Sequence, residues 1–403
     1  MYDALVIGAR CAGSPTAMLL ARKGYRVLLV DKASFPSDCI STHYIHLPGI
    51  ALLKRWGLLE KLAASNCPPI THMSFIFGEM PLSGSLPSFD SVTAAYCPRR
   101  TVLDKLLVDA AVEAGAELRE DFLVQELCMD GERVTGVRGH SRNGPTEELH
   151  ARIVIGADGK HSLVARSVQA PTYNTHPTLT CAYYAYWSGV PATDFEGYTL
   201  NKQKRVISLV PTNDDLVIVN VIWPQEEFAK YRSDVDNNFF ATIDLFPDLA
   251  TRMRSGKRES RFRGTADMPN FFRRPYGPGW ALVGDAGYYR DAITAFGISD
   301  AFRDVQLLTD AIDAGFSGHR PLNEALADYE QQRNEVASPL YDLTYSMASF
   351  EEDHPEYEQL LQALGRNPAE TTRFLSVVEG IVSAYEFFDP ANMARIIEQN
   401  SPV

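Results

Sequence analysis

Tyr2-Asp3-Ala4-Leu5-Val6-Ile7-Gly8-Ala9-Arg10-Cys11-Ala12-Gly13 opens as a short apolar run and passes directly into a glycine turn. Ser14-Pro15-Thr16-Ala17-Met18-Leu19-Leu20-Ala21-Arg22-Lys23-Gly24 follows, then a second apolar run, Arg26-Val27-Leu28-Leu29-Val30, and then Asp31. Strand, glycine turn, helix, strand and acid in that order form a Rossmann dinucleotide-binding unit. Gly8 supplies the tight turn, and Gly13 lets helix and strand pack closely. Free N–H groups at the helix N-terminus then face a pyrophosphate, where the helix dipole favours negative charge. Asp31 stands twenty-three residues after Gly8, near the spacing of a carboxylate that binds an adenosine ribose hydroxyl. The expected cofactor-binding residues of this unit are Gly8, Ala9, Arg10, Ala12, Gly13, Asp31 and Lys32. Arg10 replaces the middle glycine of G-x-G-x-x-G, and its guanidinium either folds outward or lends charge to the bound nucleotide.

Composition narrows the class. The 403 residues suffice for one large domain or two to three ordinary ones, and 45% hydrophobic residues supply a sizeable core. A net charge of −13 argues against a general nucleic-acid binder. The six cysteines show neither metal-ligand spacing nor a CxxC pair, so no metal is expected and reduced thiols in a cytoplasmic protein are. A strand that begins at residue 2 leaves no room for a secretory leader in this sequence, and no run approaches the ~18 apolar residues of a membrane span.

Two further segments extend the reading. Ala151-Arg152-Ile153-Val154-Ile155-Gly156-Ala157-Asp158-Gly159 is a strand running into an Asp-Gly turn. Trp280-Ala281-Leu282-Val283-Gly284-Asp285-Ala286-Gly287 is a strand running into Gly-Asp, followed by a helix opened near Gly297-Ile298. Both strands are expected in the parallel sheet of Tyr2–Ile7, with their acids at its carboxyl edge, where ligands bind in open α/β sheets.

With these three motifs the chain resembles the FAD-dependent aromatic hydroxylases, flavoprotein monooxygenases of the para-hydroxybenzoate hydroxylase fold. The resemblance spans residues 5 to about 310. It implies that the first turn binds the ADP half of FAD and that Asp158 lies near the pyrophosphate. It also implies that Asp285 holds the ribityl chain and that N–H groups at Gly297 and Ile298 meet the flavin pyrimidine carbonyl. Arg100, opening the R-x-x-L-x-x-x-L pattern Arg100-Thr101-Val102-Leu103-Asp104-Lys105-Leu106-Leu107, takes the family's arginine contact to FAD, with Arg99 in reserve. Val124 falls where a strand brings a backbone group to the adenine. The departures lie at the ring end. Tyr288 replaces a frequent His, Ala292 a Pro, and Ala295 the first glycine of Gly-x-Gly, while Arg166 stands one place late.

The expected fold class is α/β (α+β overall): a Rossmann-like FAD-binding domain with a parallel sheet, an antiparallel-sheet substrate domain and a helical C-terminal region. The FAD-binding domain is discontinuous (1–70, 98–170 and 275–320), the substrate domain takes 71–97 and 171–274, and the helical region takes 321–403. Residues 48–64 read as one amphipathic helix, 225–254 as helix, and 270–279 as an aromatic, glycine-rich loop. Thr178–Trp187, Arg205–Val210 and Leu216–Trp223 read as antiparallel strands, and Asp389-Pro390 as the start of a last helix. The basic stretch Arg252 to Arg263 reads as a solvated edge in preference to an entrance for anions.

The resemblance implies that NADH or NADPH reduces FAD, that oxygen then forms a C4a-hydroperoxide, and that one oxygen atom passes to an aromatic or apolar small molecule. His43, Tyr183, Tyr186, Tyr288 and Arg290 are the candidate catalytic residues, with His46 a weaker one. Each also has a plain structural reading, as a turn cap or core aromatic. Geranylgeranyl-reductase-like flavoproteins and flavin-dependent halogenases share the motifs. The halogenases need a lysine beside Trp-x-Trp-x-x-Pro, and neither Trp187 nor Trp223 sits in such a segment. A non-enzymatic flavoprotein is the remaining reading.

Overall fold

The computed structural model describes residues 1–351 and 355–400. Its first sheet carries the strand order Tyr276–Gly277, Trp280–Leu282, Glu147–Gly156, Tyr2–Ile7, Val27–Val30, Glu117–Arg119. Tyr2–Ile7 pairs in parallel with Val27–Val30 on one side and with Glu147–Gly156 on the other, and Trp280–Leu282 joins the latter in parallel. Val27–Val30 is buried along its whole length, as the β-branched and Leu runs of a sheet covered on both faces require. The hairpin Phe122–Asp130 with Arg133–Ser141 attaches antiparallel to Glu147–Gly156. Three carboxyl ends therefore meet at one edge and deliver Gly8, Asp158 and Asp285 together.

Two glycines fix that edge. Gly8 has φ +101°, and a Cβ there would strike the Ala157 carbonyl oxygen; a Cβ on Gly13 would strike the Gly8 carbonyl oxygen. Only bare backbone lets the helix Gly13–Arg22 approach the turn this closely.

The second sheet runs Lys257–Arg258, Thr180–Ser188, Val217–Pro224, Arg205–Pro211, Phe195–Leu200, His72–Phe77, Met80–Ser85. Its pairings are antiparallel except that between Phe195–Leu200 and His72–Phe77. One face packs Trp187, Trp223 and Val221 on Tyr231, Phe239, Leu249 and Met253 from short helices, while Tyr184, Tyr186, Val210 and Ile218 on the other face join the core of the first unit.

Three local expectations are corrected. The helix expected over 48–64 is two helices, Leu47–Arg55 and Leu59–Ala63, separated by Gly57 at φ +76°. The segment 225–254 is a 3-10 turn, Gln225–Glu227, and three helices, Phe228–Ser233, Val235–Ile243 and Pro247–Ser255. Asp234 caps the second by accepting from Asn237 N, and Pro247 starts the third. Asn270–Arg273, read as loop, is the middle strand of a small sheet with Thr172–His176 and Tyr288–Tyr289, because Phe271 and Phe272 are buried there. The basic stretch is an edge: Arg252 pairs with Glu196, Arg254 with Asp244, Arg258 with Asp236 and Arg263 with Asp38. The helices Gly297–Phe316, Leu322–Ser349, Pro355–Arg366, Pro368–Val378, Ala384–Phe387 and Pro390–Asn400 complete the fold. Among the described residues no helix is long and apolar enough to cross a membrane.

Candidate functional site

An elongated cavity of about 620 Å³ crosses the shared carboxyl edge. One end is lined by Asp31, Lys32 and Phe122-Leu123-Val124, its middle by Gly8, Arg10, Ala12, Arg100 and Asp158, and its far end by Asp285, Tyr288, Arg290, Gly297 and Ile298. Ala9 and Gly13 stand behind the lining. The Ala9 N–H donates to Asp31 Oδ2 at 2.7 Å, and Ala33 N–H to Oδ1 at 2.8 Å, so the turn presets the carboxylate.

Arg10 neither folds outward nor points at the cavity unpaired. It donates to Asp104 Oδ2 at 2.5 Å and Ser37 Oγ at 2.9 Å, and lies over the Phe35 ring. Arg100 grips the same carboxylate, its Nη2 3.1 Å from Oδ2 and 2.8 Å from Oδ1. Arg99 instead donates to Asp214 and covers Tyr186, so Arg100 is the arginine of the cavity wall. Sequence reasoning passed over Asp104, although it is fully buried and orders both cations. Its position one turn after Arg100 was the available signal.

Asp158 accepts from Leu163 N–H at 2.6 Å, while its Oδ1 is buried without a partner. Burial raises its pKa and that of Asp285, the latter to about 6. Gly284, at φ +59°, brings the Gly-Asp turn against Ala12. Gly297 opens its 20-residue helix with open space where a side chain would be, and Phe296 before it offers no side-chain cap. The N–H groups of that first turn are therefore free for a ligand.

The candidate catalytic residues separate. Tyr288 and Arg290 line the far end. His43 lies behind the lining residues Ser41 and Thr42, fully buried, at φ +67°. Its Nδ1 is 2.7 Å from the Ser41 carbonyl oxygen, and the Tyr186 hydroxyl lies 2.7 Å from Nε2. One neutral tautomer satisfies both contacts, with Nδ1–H donating and Nε2 accepting. Burial, aided by Arg100, lowers its pKa to about 3. Tyr183 is corrected. Alternation along Thr180–Ser188 turns it to the opposite face, against Phe228 and Trp223. Tyr184 takes the place expected of it, edge-on to His43 at 5.5 Å.

His46 stacks on Phe296 at 3.7 Å, with Nε2 3.2 Å from Thr294 O and Nδ1 3.4 Å from Glu379 Oε1. Glu379, fully buried, also accepts from the Tyr44 hydroxyl at 2.9 Å and from Leu47 N–H at 2.7 Å. A carboxylate 332 residues away from the loop it braces left no local signal in the sequence.

An extended, two-ended cavity, a bare-backbone cradle at Gly8, an orphaned Asp158 oxygen and a free helix N-terminus fit FAD. Gly8 and the neighbouring N–H groups would hold its pyrophosphate, Asp31 the ribose and Asp285 the ribityl chain.

A 1H-pyrrole-2-carbonyl-[peptidyl-carrier protein] brominase of Pseudoalteromonas luteoviolacea (strain 2ta16) is 22% identical over 330 residues, 79% of each chain. The 12-dehydrotetracycline 5-monooxygenase/anhydrotetracycline 6-monooxygenase of Streptomyces rimosus is 26% identical over 399 residues, 96% of this chain and 76% of that one. The solved flavoprotein/dehydrogenase of Cytophaga hutchinsonii superposes with TM-score 0.84 at 18% identity, over 99% of this chain and 98% of that one, a likeness of fold. The family model described as FAD binding domain matches residues 1–344, and this chain accordingly belongs to that family of FAD-dependent enzymes.

Proposed function

We propose that this FAD-dependent oxidoreductase is a monooxygenase that draws electrons from NADH or NADPH and hydroxylates or epoxidises an aromatic or polyketide-like molecule. Bound FAD supplies the redox and oxygen-activating chemistry. In this reading the discontinuous segments 1–70, 98–170 and 275–320 hold the cofactor, while 71–97 and 171–274 roof the substrate.

The observation that carries the reading is the hydrogen-bonded line from the Tyr186 hydroxyl through His43 to the Ser41 carbonyl, directly behind the cavity wall. The Tyr186 hydroxyl donates to the neutral imidazole and keeps its own oxygen as an acceptor for the hydroxyl proton of a phenolic substrate. Drawing that proton toward Tyr186 raises electron density in the substrate ring and activates it toward an electrophilic oxygen. Tyr184 and Tyr186 stand buried behind this wall, and Tyr288 with Ile298 bounds the far end. Gly297 and Ile298 N–H groups stabilise negative charge that develops beside them.

The halogenase reading needs an amine at the ring end. The lysine that lines the cavity among the described residues is Lys32, at the adenosine end. The monooxygenase relative also aligns with more of this chain than the brominase does.

The test is incubation of the purified, FAD-loaded protein with NADH or NADPH, ¹⁸O-labelled oxygen and a panel of phenols and polycyclic aromatics, with mass detection. A product carrying a single labelled oxygen atom is expected. A product gaining only hydrogen, or a halogenated product when bromide or chloride is added, overturns the reading.

A further inference from the structure

Arg290 has an unusual hydrogen-bond account. Its side chain is 3% exposed and lines the far end of the cavity. Nη2 donates to Asp300 Oδ2 at 2.7 Å, while Nε and Nη1 are buried with no partner among the described residues. A guanidinium carries five N–H donors, and leaving those of Nε and Nη1 dry and unpaired is costly unless a ligand takes them. The guanidinium lies over the Phe296 ring at 4.7 Å, and Phe296 is the residue before Gly297. The unpaired guanidinium donors and the uncapped N–H groups of the helix Gly297–Phe316 therefore belong to one corner, and both favour negative charge.

The surrounding charges leave these donors open. Asp300 is shared, its Oδ1 accepting from Arg303 Nη1 at 2.7 Å, and Arg303 also holds Asp304 at 2.7 Å. Two arginines face two carboxylates, and Asp300 contacts Arg290 through Nη2 alone. The buried Tyr288 hydroxyl beside them has no partner either.

We propose that Arg290 is the cationic partner of the flavin's pyrimidine end, its charge and open donors stabilising the negative charge that the ring acquires on reduction. Uptake of two electrons and one proton by the oxidised ring leaves a net negative charge at that end, and a nearby cation favours that state. The inference rests on the placement of the flavin ring beside Gly297 and is independent of which substrate is oxygenated.

The experiment measures sulfite binding to the oxidised holoenzyme, which bleaches the flavin absorbance and places the same negative charge on the ring, together with the flavin midpoint potential. Arg290→Met removes one positive charge from the corner, and Asp300→Asn removes one negative charge. Sulfite affinity is expected to fall by about tenfold or more in Arg290→Met and to rise in Asp300→Asn, as close charges in a low-dielectric site dictate. Arg290→Lys should retain most of the parent affinity, and potentials should move in the same order. Unchanged sulfite affinity in Arg290→Met, or a shift of both variants in the same direction, overturns the proposal. If Arg290→Met does not retain FAD, Asp300→Asn decides alone: tighter sulfite binding supports the role, and equal or weaker binding refutes it. Loss of oxygenation with these responses intact would refute the monooxygenase reading and leave Arg290's assignment standing.

Discussion

At the scale of single residues the cavity holds groups whose protonation opposes their surroundings. Burial raises the carboxyls of Asp285 and Asp291 to about 6. Each binds a proton more readily folded than unfolded, so their contribution to stability falls as pH rises from about 4 to about 6. His43 runs the other way. Its pKa is lowered from 6.5 to about 3, so its contribution is lost as pH falls through that window. Asp285→Asn should therefore stabilise the FAD-free protein at pH 7 by about 1–2 kcal/mol, read by thermal melting, while sharply reducing retained FAD. Asp285→Ala should likewise lose FAD, measured as flavin absorbance per protein after gel filtration. Tyr186→Phe should keep FAD and lower turnover of a phenolic substrate by roughly a hundredfold, a typical cost for a lost proton-transfer partner. A fall in turnover below twofold would detach the Tyr186–His43 line from the chemistry.

Among the elements, the glycine turn and the first helix were legible in the sequence because their determinants are local. Gly8, Gly13 and Asp31 lie within one βαβ unit, and bare backbone at Gly13 is what the helix contact requires. Gly13→Ala should destabilise the protein by about 1–3 kcal/mol through overpacking and abolish FAD retention, checked by denaturant melts and absorbance. The strand carrying Tyr183, Tyr184 and Tyr186 was legible as a strand, yet its facing was not. Regular alternation puts Tyr183 on one face, toward the helices, and Tyr184 and Tyr186 on the other. Which parity meets the cavity depends on how the second sheet docks, and that information lies in residues far along the chain. The breaks inside 48–64 and 225–254 came from caps and a positive-φ glycine interrupting helical spacing. Asn270–Arg273 shows the converse, since its pairing partners, Thr172–His176 and Tyr288–Tyr289, are remote and its composition alone reads as loop.

For the molecule as a whole, two sheets share one core, and the cofactor cavity lies on the edge of the first. Free FAD at about a hundred times its dissociation constant should stabilise the fold by about 2.7 kcal/mol, raising the melting temperature by on the order of 5 °C. A scan with and without FAD checks this, and identical melting curves would contradict a nucleotide site of this size.

The brace at Glu379 has a temporal consequence. The loop that carries His43 and His46 is anchored by a carboxylate supplied by residue 379, through Tyr44 and the Leu47 N–H. During synthesis the glycine turn leaves the ribosome well before the segment that steadies the loop beside it, 332 residues separating Leu47 from Glu379. Nascent chains stalled before residue 379 should accordingly form the cradle yet release nucleotide quickly, so lasting capture of the coenzyme is coupled to synthesis of that distant brace.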